Sequence, residues 1–478
     1  MSYKSVKEIL NDVFDSSDNV LRGIHKTEGE VLNMVLDETG DPSLKVRIEG
    51  LEDDFYTKTQ TDTQLSAKMT RSAMAGMVGN LSAPLTHLPL KKNLLTAQGQ
   101  SICTFTRAST ATYIDRYGVL KTAAADTPRF TADGLLVEGA STNLLTYSDQ
   151  FDNAVWAKSG SSISANTADT TDPYGTNLAD KLTEDTSTAS HFVESGNISF
   201  TSGTVYSLSV FAKKAERDQF RLYFPSSITS GRYGHFDLSA GTVVSTGSGI
   251  TAKIKKLADG WYRCSVSVTA GATTTGKPSL VLAQSNSVVT YTGDGTSGLY
   301  IFGTQLEANP GMTSYIPTTS AAATRAAEVC SFPITDNMVK ILQSTGHTYV
   351  MDIKMLWSPS AATDRIALGG DTLVTRFALG FYGGGVFSHN AKGGTSYSAL
   401  SGIDTLLRHR YSAVYTGTGT DFYIDGTYKD RRSDVVPTSD NTSVMYIGSA
   451  SGGRYLNGTI SNLRIYDHAL TEEEVNAA

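Results

Sequence analysis

A mainly β protein is predicted: a short N-terminal helix and a helical stalk, followed by two β-sandwich domains. Three observations predict it. Charged residues are 18% of the 478, below the usual quarter, while 44 glycines and frequent Ser and Thr suit turns and strands. Apolar and polar side chains alternate with period two through much of the second half. Turn pairs such as Asp259-Gly260, Asp425-Gly426 and Asn457-Gly458 punctuate those runs. Several domains are expected, because single cores rarely exceed about 250–300 residues.

Composition also narrows the partners. A formal charge of −7 gives no reason to expect nucleic acid. No stretch approaches the ~18 apolar residues of a membrane span, so membrane insertion is not expected. The start, MSYKSVKEIL, has neither the basic, long apolar nor cleavage-site features of a secretory signal, and folding in a reducing cytoplasm is expected. Cys103, Cys264 and Cys330 are odd in number, far apart and without metal-ligand spacing. Cys264 shares a strand face with Tyr262, Val266 and Val268, where a buried, inert thiol is expected.

The elements follow in order. In SVKEILNDVF, Ser5 and Glu8 form a capping box, and Val6, Ile9, Leu10, Val13 and Phe14 make one apolar stripe. So short a helix is marginal alone, so the stripe needs something to pack on. Residues 1–50 are read as an anchoring segment that orders against another molecule; the alternative folds the helix back on its own chain. Residues 51–95 are read as a helical oligomerisation stalk, with Thr61 and Gln64 at its start, Gly79 as a stop, and Leu65, Met69, Met74 and Met77 as the contact stripe. Residues 96–145 form a β-rich connector with turns at Tyr117-Gly118 and Asp133-Gly134.

Residues 146–318 are read as a sandwich or jelly roll. Tyr206, Leu208, Val210 and Ala212 share one face, as do Phe220, Leu222 and Phe224. The Ser/Thr/Ala-rich run within 319–334 is the best linker. Residues 335–478 are a second all-β unit. Tyr349, Met351, Ile353, Met355 and Trp357 lie on one face, with Asp352 and Lys354 on the other. DFYIDGTYKD signals a type I′ hairpin, and Thr471 with Glu474 caps a final helix.

Several of these stretches carry a resemblance. FYTKTQTDTQL resembles the stalks of bacteriophage tail fibres, where such segments are trimer contacts. CTFTRASTATYIDRYGVLKTAAADTPRF, GLLVEGASTNLL and YSDQFDNAVWAKSG resemble a connector of phage tail and virion proteins. GLYIFGTQLEA followed by SYIPT resembles the carbohydrate-binding-like jelly roll of phage fibres. The FYIDG hairpin and GTISNLRIYDHALTEEE resemble the concanavalin A-like, laminin G-like lectin fold. The resemblance implies a non-enzymatic virion appendage, a homotrimer assembled in host cytoplasm. Its N-terminus would be held by other virion proteins of the tail, collar or portal region, and its lectin-like modules would bind host cell-surface polysaccharide. The alternatives are a structural head, collar or neck fibre or decoration protein, then a polysaccharide depolymerase, and last a cellular adhesin.

Catalytic constellations are weak. A glycoside hydrolase needs two carboxylates flanking the bond, and residues 335–478 hold no E-x-D-x-x-E strand. Glu472, Glu473 and Glu474 suit a helix start. The eight histidines are scattered, and His409 is read as an exposed strand residue. Glycan sites combine an aromatic ring with fixed polar groups. Tyr382, Tyr397, Tyr428, Arg454, Tyr455 and Asn457 are therefore the candidates, although packing or a hairpin pair explains each tyrosine alone. No cofactor is expected; calcium has Asp364 and Asp371 as candidate ligands.

Overall fold

A computed structural model describes residues 84–478 apart from 97–98, 231, 286–287, 336–345, 359–364, 371–377, 383–385, 392–393, 396–402, 433–443 and 451–452. The anchor stripe Val6, Ile9, Leu10, Val13 and Phe14 and the stalk stripe Leu65, Met69, Met74 and Met77 lie outside the described residues.

Alternation in sequence becomes two layers in space. Tyr206, Leu208, Val210 and Ala212 from the strand Val205–Lys214 meet Cys264, Val266 and Val268 from its neighbour Tyr262–Thr269. Phe220, Leu222 and Phe236 face them from a second sheet. The first sheet runs, in spatial order, Thr251–Lys256, Tyr262–Thr269, Val205–Lys214, Gly298–Glu307, Asp180–Glu184 and Ser161–Ser164. The second runs Thr242–Thr246, Tyr233–Asp237, Gln219–Tyr223, Ser279–Ala283, Phe192–Glu194 and Ala157–Ser159. Neighbours along both are antiparallel, and the residues between the sheets leave water almost completely. Burying such side chains is worth about 1.5–3 kcal/mol each, which is what holds strands this short together.

The second sandwich is built from both ends of the described chain. Its larger sheet takes Thr427–Arg432, Thr420–Ile424, His409–Tyr415, His347–Met355 and Gly458–Tyr466, then Gly134–Val137 and Arg129–Thr131 from the connector. Thr86–Leu88 also pairs with Gly458–Tyr466. The facing sheet pairs Thr104–Thr106 with Val329–Pro333, followed by Val444–Ile447, Arg365–Gly370, Ala378–Tyr382, Val386–Ala391 and Gly394–Thr395. Tyr349, Met351, Ile353 and Met355 point into its core, as alternation predicts.

Two differences from the sequence reading follow. Thr86–Leu88 falls within 51–95, so that part of the expected helical stalk is sheet, pulled there by pairing with a strand far along the chain. The connector strands belong to the second sandwich, so the first sandwich is an insertion within it and not the first of two beads. The run 319–334 is no loose tether: Ala323–Arg325 pairs with Ser141–Asn143, bringing the two ends of the insertion side by side.

That junction is ionic and dry. Arg107, Arg129, Glu138, Arg325 and Glu328 are all buried. Arg129 grips Glu328 through two bonds, Nε to Oε1 at 2.8 Å and Nη2 to Oε2 at 2.7 Å, and reaches Glu138 Oε2 at 2.7 Å. Arg107 Nη1 adds 2.8 Å to Glu328, and Arg325 Nη2 lies 3.5 Å from Glu138. Carbonyl oxygens accept several of the other donors, among them Thr112 from Arg129, Ser109 from Arg107 and Gly139 from Arg325. Burial alone would raise the Glu138 pKa, but Arg325 and Arg129 outweigh it and bring it down to about 2.

Candidate functional site

The outer face of the larger sheet is half covered. The C-terminal helix Glu472–Ala477 starts at the predicted capping box, with the Thr471 hydroxyl accepting from the Glu474 amide and the Glu474 carboxylate accepting from the Thr471 amide. Its Val475 packs with Val350, Val414, Tyr423, Tyr466 and Leu470 on that face. Beside the helix a cleft of about 300 Å³ stays open, lined by Asp352, Arg408, His409, Arg410, Asp425, Gly426 and Asn476.

Each wall has a local cause. Asp425 and Gly426 take φ of 49° and 77°, the two positive angles of a type I′ turn. A Cβ at Gly426 would meet the Asn476 side-chain amide, and its positive φ also favours glycine where the hairpin approaches the helix. Alternation along His347–Met355 sends Asp352 to this face, opposite the core.

The charged groups are fixed by one another. His409 Nδ1 lies 2.6 Å from Asp425 Oδ2, and the Arg410 amide donates to Asp425 Oδ1 at 2.9 Å. Arg410 Nε donates to Asp352 Oδ1 at 3.2 Å, and Asn462 Nδ2 to Oδ2 at 2.7 Å. Burial alone would raise the Asp425 pKa, but the hydrogen bonds from His409 and the Arg410 amide outweigh it, and the carboxyl sits below the ordinary range. Arg408 stands exposed at the rim. Acceptors and donors thus line an open space together, an arrangement that suits a polyhydroxylated ligand. His409 differs from its reading as an exposed strand residue. It begins its strand but is half-buried, because Asp425 and the Asp404 carbonyl hold its ring.

The sequence candidates fall in several places. Tyr428 is exposed on the cleft's sheet, with its ring edge-on to that of Tyr423 at 5.6 Å. Arg454, Tyr455 and Asn457 come together, but near the junction. Asn457 Oδ1 accepts from the Gly139 amide at 2.9 Å, and the Tyr455 ring leaves no room for a side chain at Gly139. The Arg454 carbonyl accepts from the Ile366 amide. Tyr382 ends a strand of the facing sheet; Tyr397, Asp364 and Asp371 lie outside the described residues. Among the described residues no group of three or more His, Cys, Asp or Glu is arranged to hold a metal ion.

A further polar row lies on the first sandwich, where Gln219, Arg221 and Tyr223 stand opposite Asp237, His235 and Tyr233. It bonds within itself: Arg221 Nε to His235 Nδ1 at 2.9 Å, and Gln219 Nε2 to Asp237 at 3.2 Å. Burial and the Arg221 charge lower the His235 pKa to about 4, which keeps the ring neutral and accepting.

Sequence reasoning did not single out Asp352, Arg408, His409, Arg410, Asp425 or Asn476 as a site. The hairpin, the alternation and the capping box were each visible. What joins them is packing between distant segments, which no local pattern encodes.

Similarity to known proteins bears on the C-terminal part of the chain. The family model Laminin_G_3, described as the concanavalin A-like lectin/glucanases superfamily, matches residues 335–476. That part of the chain is a concanavalin A-like lectin/glucanase domain, a class defined by fold and not by ligand. No curated protein sequence matches the chain. Among solved structures, domain 4 of AbnA, a GH43 extracellular arabinanase from Geobacillus stearothermophilus in complex with arabinotriose, is 16% identical with a TM-score of 0.27. That match covers 35% of this chain and 81% of the other. The receptor-binding domain of botulinum neurotoxin C/D mosaic serotype is 12% identical with a TM-score of 0.25, covering 32% of this chain and 40% of the other. The chain thus spans about two fifths of that toxin domain.

Proposed function

We propose that this protein is a non-enzymatic adhesin that binds host cell-surface glycan through its lectin-like half, carried on a virion as a homotrimeric appendage. The observation that carries the binding reading is the cleft on a lectin-class sandwich, walled by Asp352, Arg408, His409, Arg410, Asp425 and Asn476. Binding is favoured over hydrolysis because a glycosidase needs a carboxylic acid poised to donate a proton, and Asp425 is held on the ionised side. The viral setting rests on the phrasing of nearly all of residues 51–478. Three cleft copies on one stalk would raise apparent affinity through effective concentration.

The test is binding of the full-length protein to an array of bacterial surface glycans, with Arg408→Ala and Asp425→Ala alongside. Saturable binding that both variants weaken at least tenfold, without release of reducing sugar, is the expected result. Binding equal in wild type and variants would overturn the cleft assignment, and released sugar would overturn the non-enzymatic one. A chain lacking residues 1–50 is expected to fold and oligomerise yet fail to join particles; incorporation at normal levels would overturn the anchor. A structural head, collar or neck fibre is the second reading, favoured by the dry ionic junction, which suits a stiff spacer. Immunogold labelling of particles distinguishes the positions.

A further inference from the structure

The three cysteines looked unrelated in sequence, and the fold pairs two of them. The strand Thr104–Thr106 lies antiparallel to Val329–Pro333, with Phe105 opposite Cys330. Cys103 precedes that strand and sits two residues from Phe105, hence on the same face and diagonal to Cys330. Both pack into the second sandwich's core, Cys330 fully and Cys103 at its margin. Each thiol shifts the titration of the other. The two residues flank the inserted sandwich, one before it and one after.

We infer that Cys103 and Cys330 are a covalent modification site, a thiol pair that a small-molecule disulfide such as oxidised glutathione converts into an intramolecular disulfide. The roles of the two sulfurs differ. The neighbouring Cys330 thiol lowers the Cys103 pKa, whereas Cys330 is raised well above its usual value, first by the Cys103 thiol and then by burial. Thiolate is the attacking form, and Cys103 is also the half-exposed member of the pair. Cys103 sulfur therefore attacks oxidised glutathione, giving a mixed disulfide and one glutathione thiolate. Cys330 loses its proton to solvent and attacks the Cys103 sulfur, forming the internal S–S bond and expelling the second glutathione thiolate. Two protein thiols are oxidised and one glutathione disulfide is reduced to two thiols, so the exchange balances. The internal disulfide would hold its two sulfurs about 2.05 Å apart. The product ties the strand before the insertion to the strand after it, and constrains the unfolded chain across a very long loop. Cys264 cannot take part: it is buried alone in the other sandwich, where burial raises its pKa well above the usual value.

The test uses the full-length protein, reduced, freed of reductant and exposed to oxidised glutathione at mildly alkaline pH. Thiols are counted after denaturation, and peptides are mapped by mass spectrometry. The expected result is a fall from three thiols to one, a mass lower by two hydrogen atoms, and a peptide joining Cys103 to Cys330. Cys264→Ser should crosslink to the same extent, leaving no thiol. Cys103→Ser, a change at a half-exposed position, should abolish the crosslink while the circular dichroism spectrum is retained. Persistence of all three thiols would overturn the inference, as would glutathione accumulating on Cys103 of the unsubstituted protein without the joined peptide.

Discussion

The junction and the cleft use the same chemistry to opposite ends. Both are made of arginines and carboxylates linked by charge-assisted hydrogen bonds. At the junction every charged side chain is out of water, and most arginine donors that miss a carboxylate are taken up by backbone carbonyls or the Ser314 hydroxyl. In the cleft the Asp425 side chain keeps 55% of its exposure, Arg410 keeps 31%, and Arg408 faces solvent. A closed network has nothing to offer a ligand and much to lose if broken; an open one is the reverse. Location relative to water, more than residue type, separates holding from binding.

That contrast can be broken most severely at Glu328. Glu328→Ala leaves Arg107 and Arg129 buried without their shared carboxylate, which costs about 3–5 kcal/mol. Chemical denaturation should show a large loss of stability, with both sandwiches affected because their chain crossings meet there. A variant as stable as wild type would mean that the network carries no load.

Next in size is acid sensitivity. Glu138 has its folded pKa depressed to about 2 from an ordinary 4.5. Its contribution is therefore present above pH 4.5 and is lost as pH falls toward 2. His235, depressed from 6.5 to about 4, adds stability above pH 6.5 that is lost as pH falls through 4. Denaturation midpoints measured between pH 7 and 3 should fall in two stages, and Glu138→Gln should flatten only the lower one.

Cleft variants sharpen the other side. Arg408→Ala and Asp425→Ala each remove a charged hydrogen-bonding group, worth about 1.5–3 kcal/mol to a bound ligand, or roughly tenfold or more in affinity. Because Arg408 is exposed, Arg408→Ala should leave the thermal midpoint nearly unchanged, whereas Asp425→Ala puts alanine at a positive φ and removes the partner of His409, so its midpoint should fall modestly. A large fall in midpoint would turn the cleft into a second structural knot. The smallest effect is expected at Tyr428→Ala, which removes an edge-on pair with Tyr423 worth about 0.5–1.5 kcal/mol. Differential scanning calorimetry should register a slight loss.

How much of this could be read beforehand follows from range. The faces of Tyr206–Ala212 and Tyr349–Met355, the Asp425-Gly426 turn and the Thr471 cap depend on neighbours within a few residues, and all appear as expected. Arg107, Arg129, Glu138, Arg325 and Glu328 sit in polar, turn-rich stretches that look like connector and linker. Only the fold reveals that they converge, because Glu328 lies 221 and 199 residues along the chain from Arg107 and Arg129, which it joins. The cleft was hidden for a related reason: Asp352 and Asp425 each had a sufficient local explanation, and Asn476 reaches them only through the packing of the final helix. Thr86–Leu88 carries too little pattern of its own to announce the strand it joins.

The pairing of Thr86–Leu88 with Gly458–Tyr466 has a consequence for timing during synthesis. The inserted module has all of its strands once Glu307 has left the ribosome, and can mature while translation continues. The early strands of the enclosing module must wait, edges unsatisfied, until the final segments emerge. Newborn polypeptide is thus most prone to clumping late, and a translational pause after the insertion would lengthen that exposure.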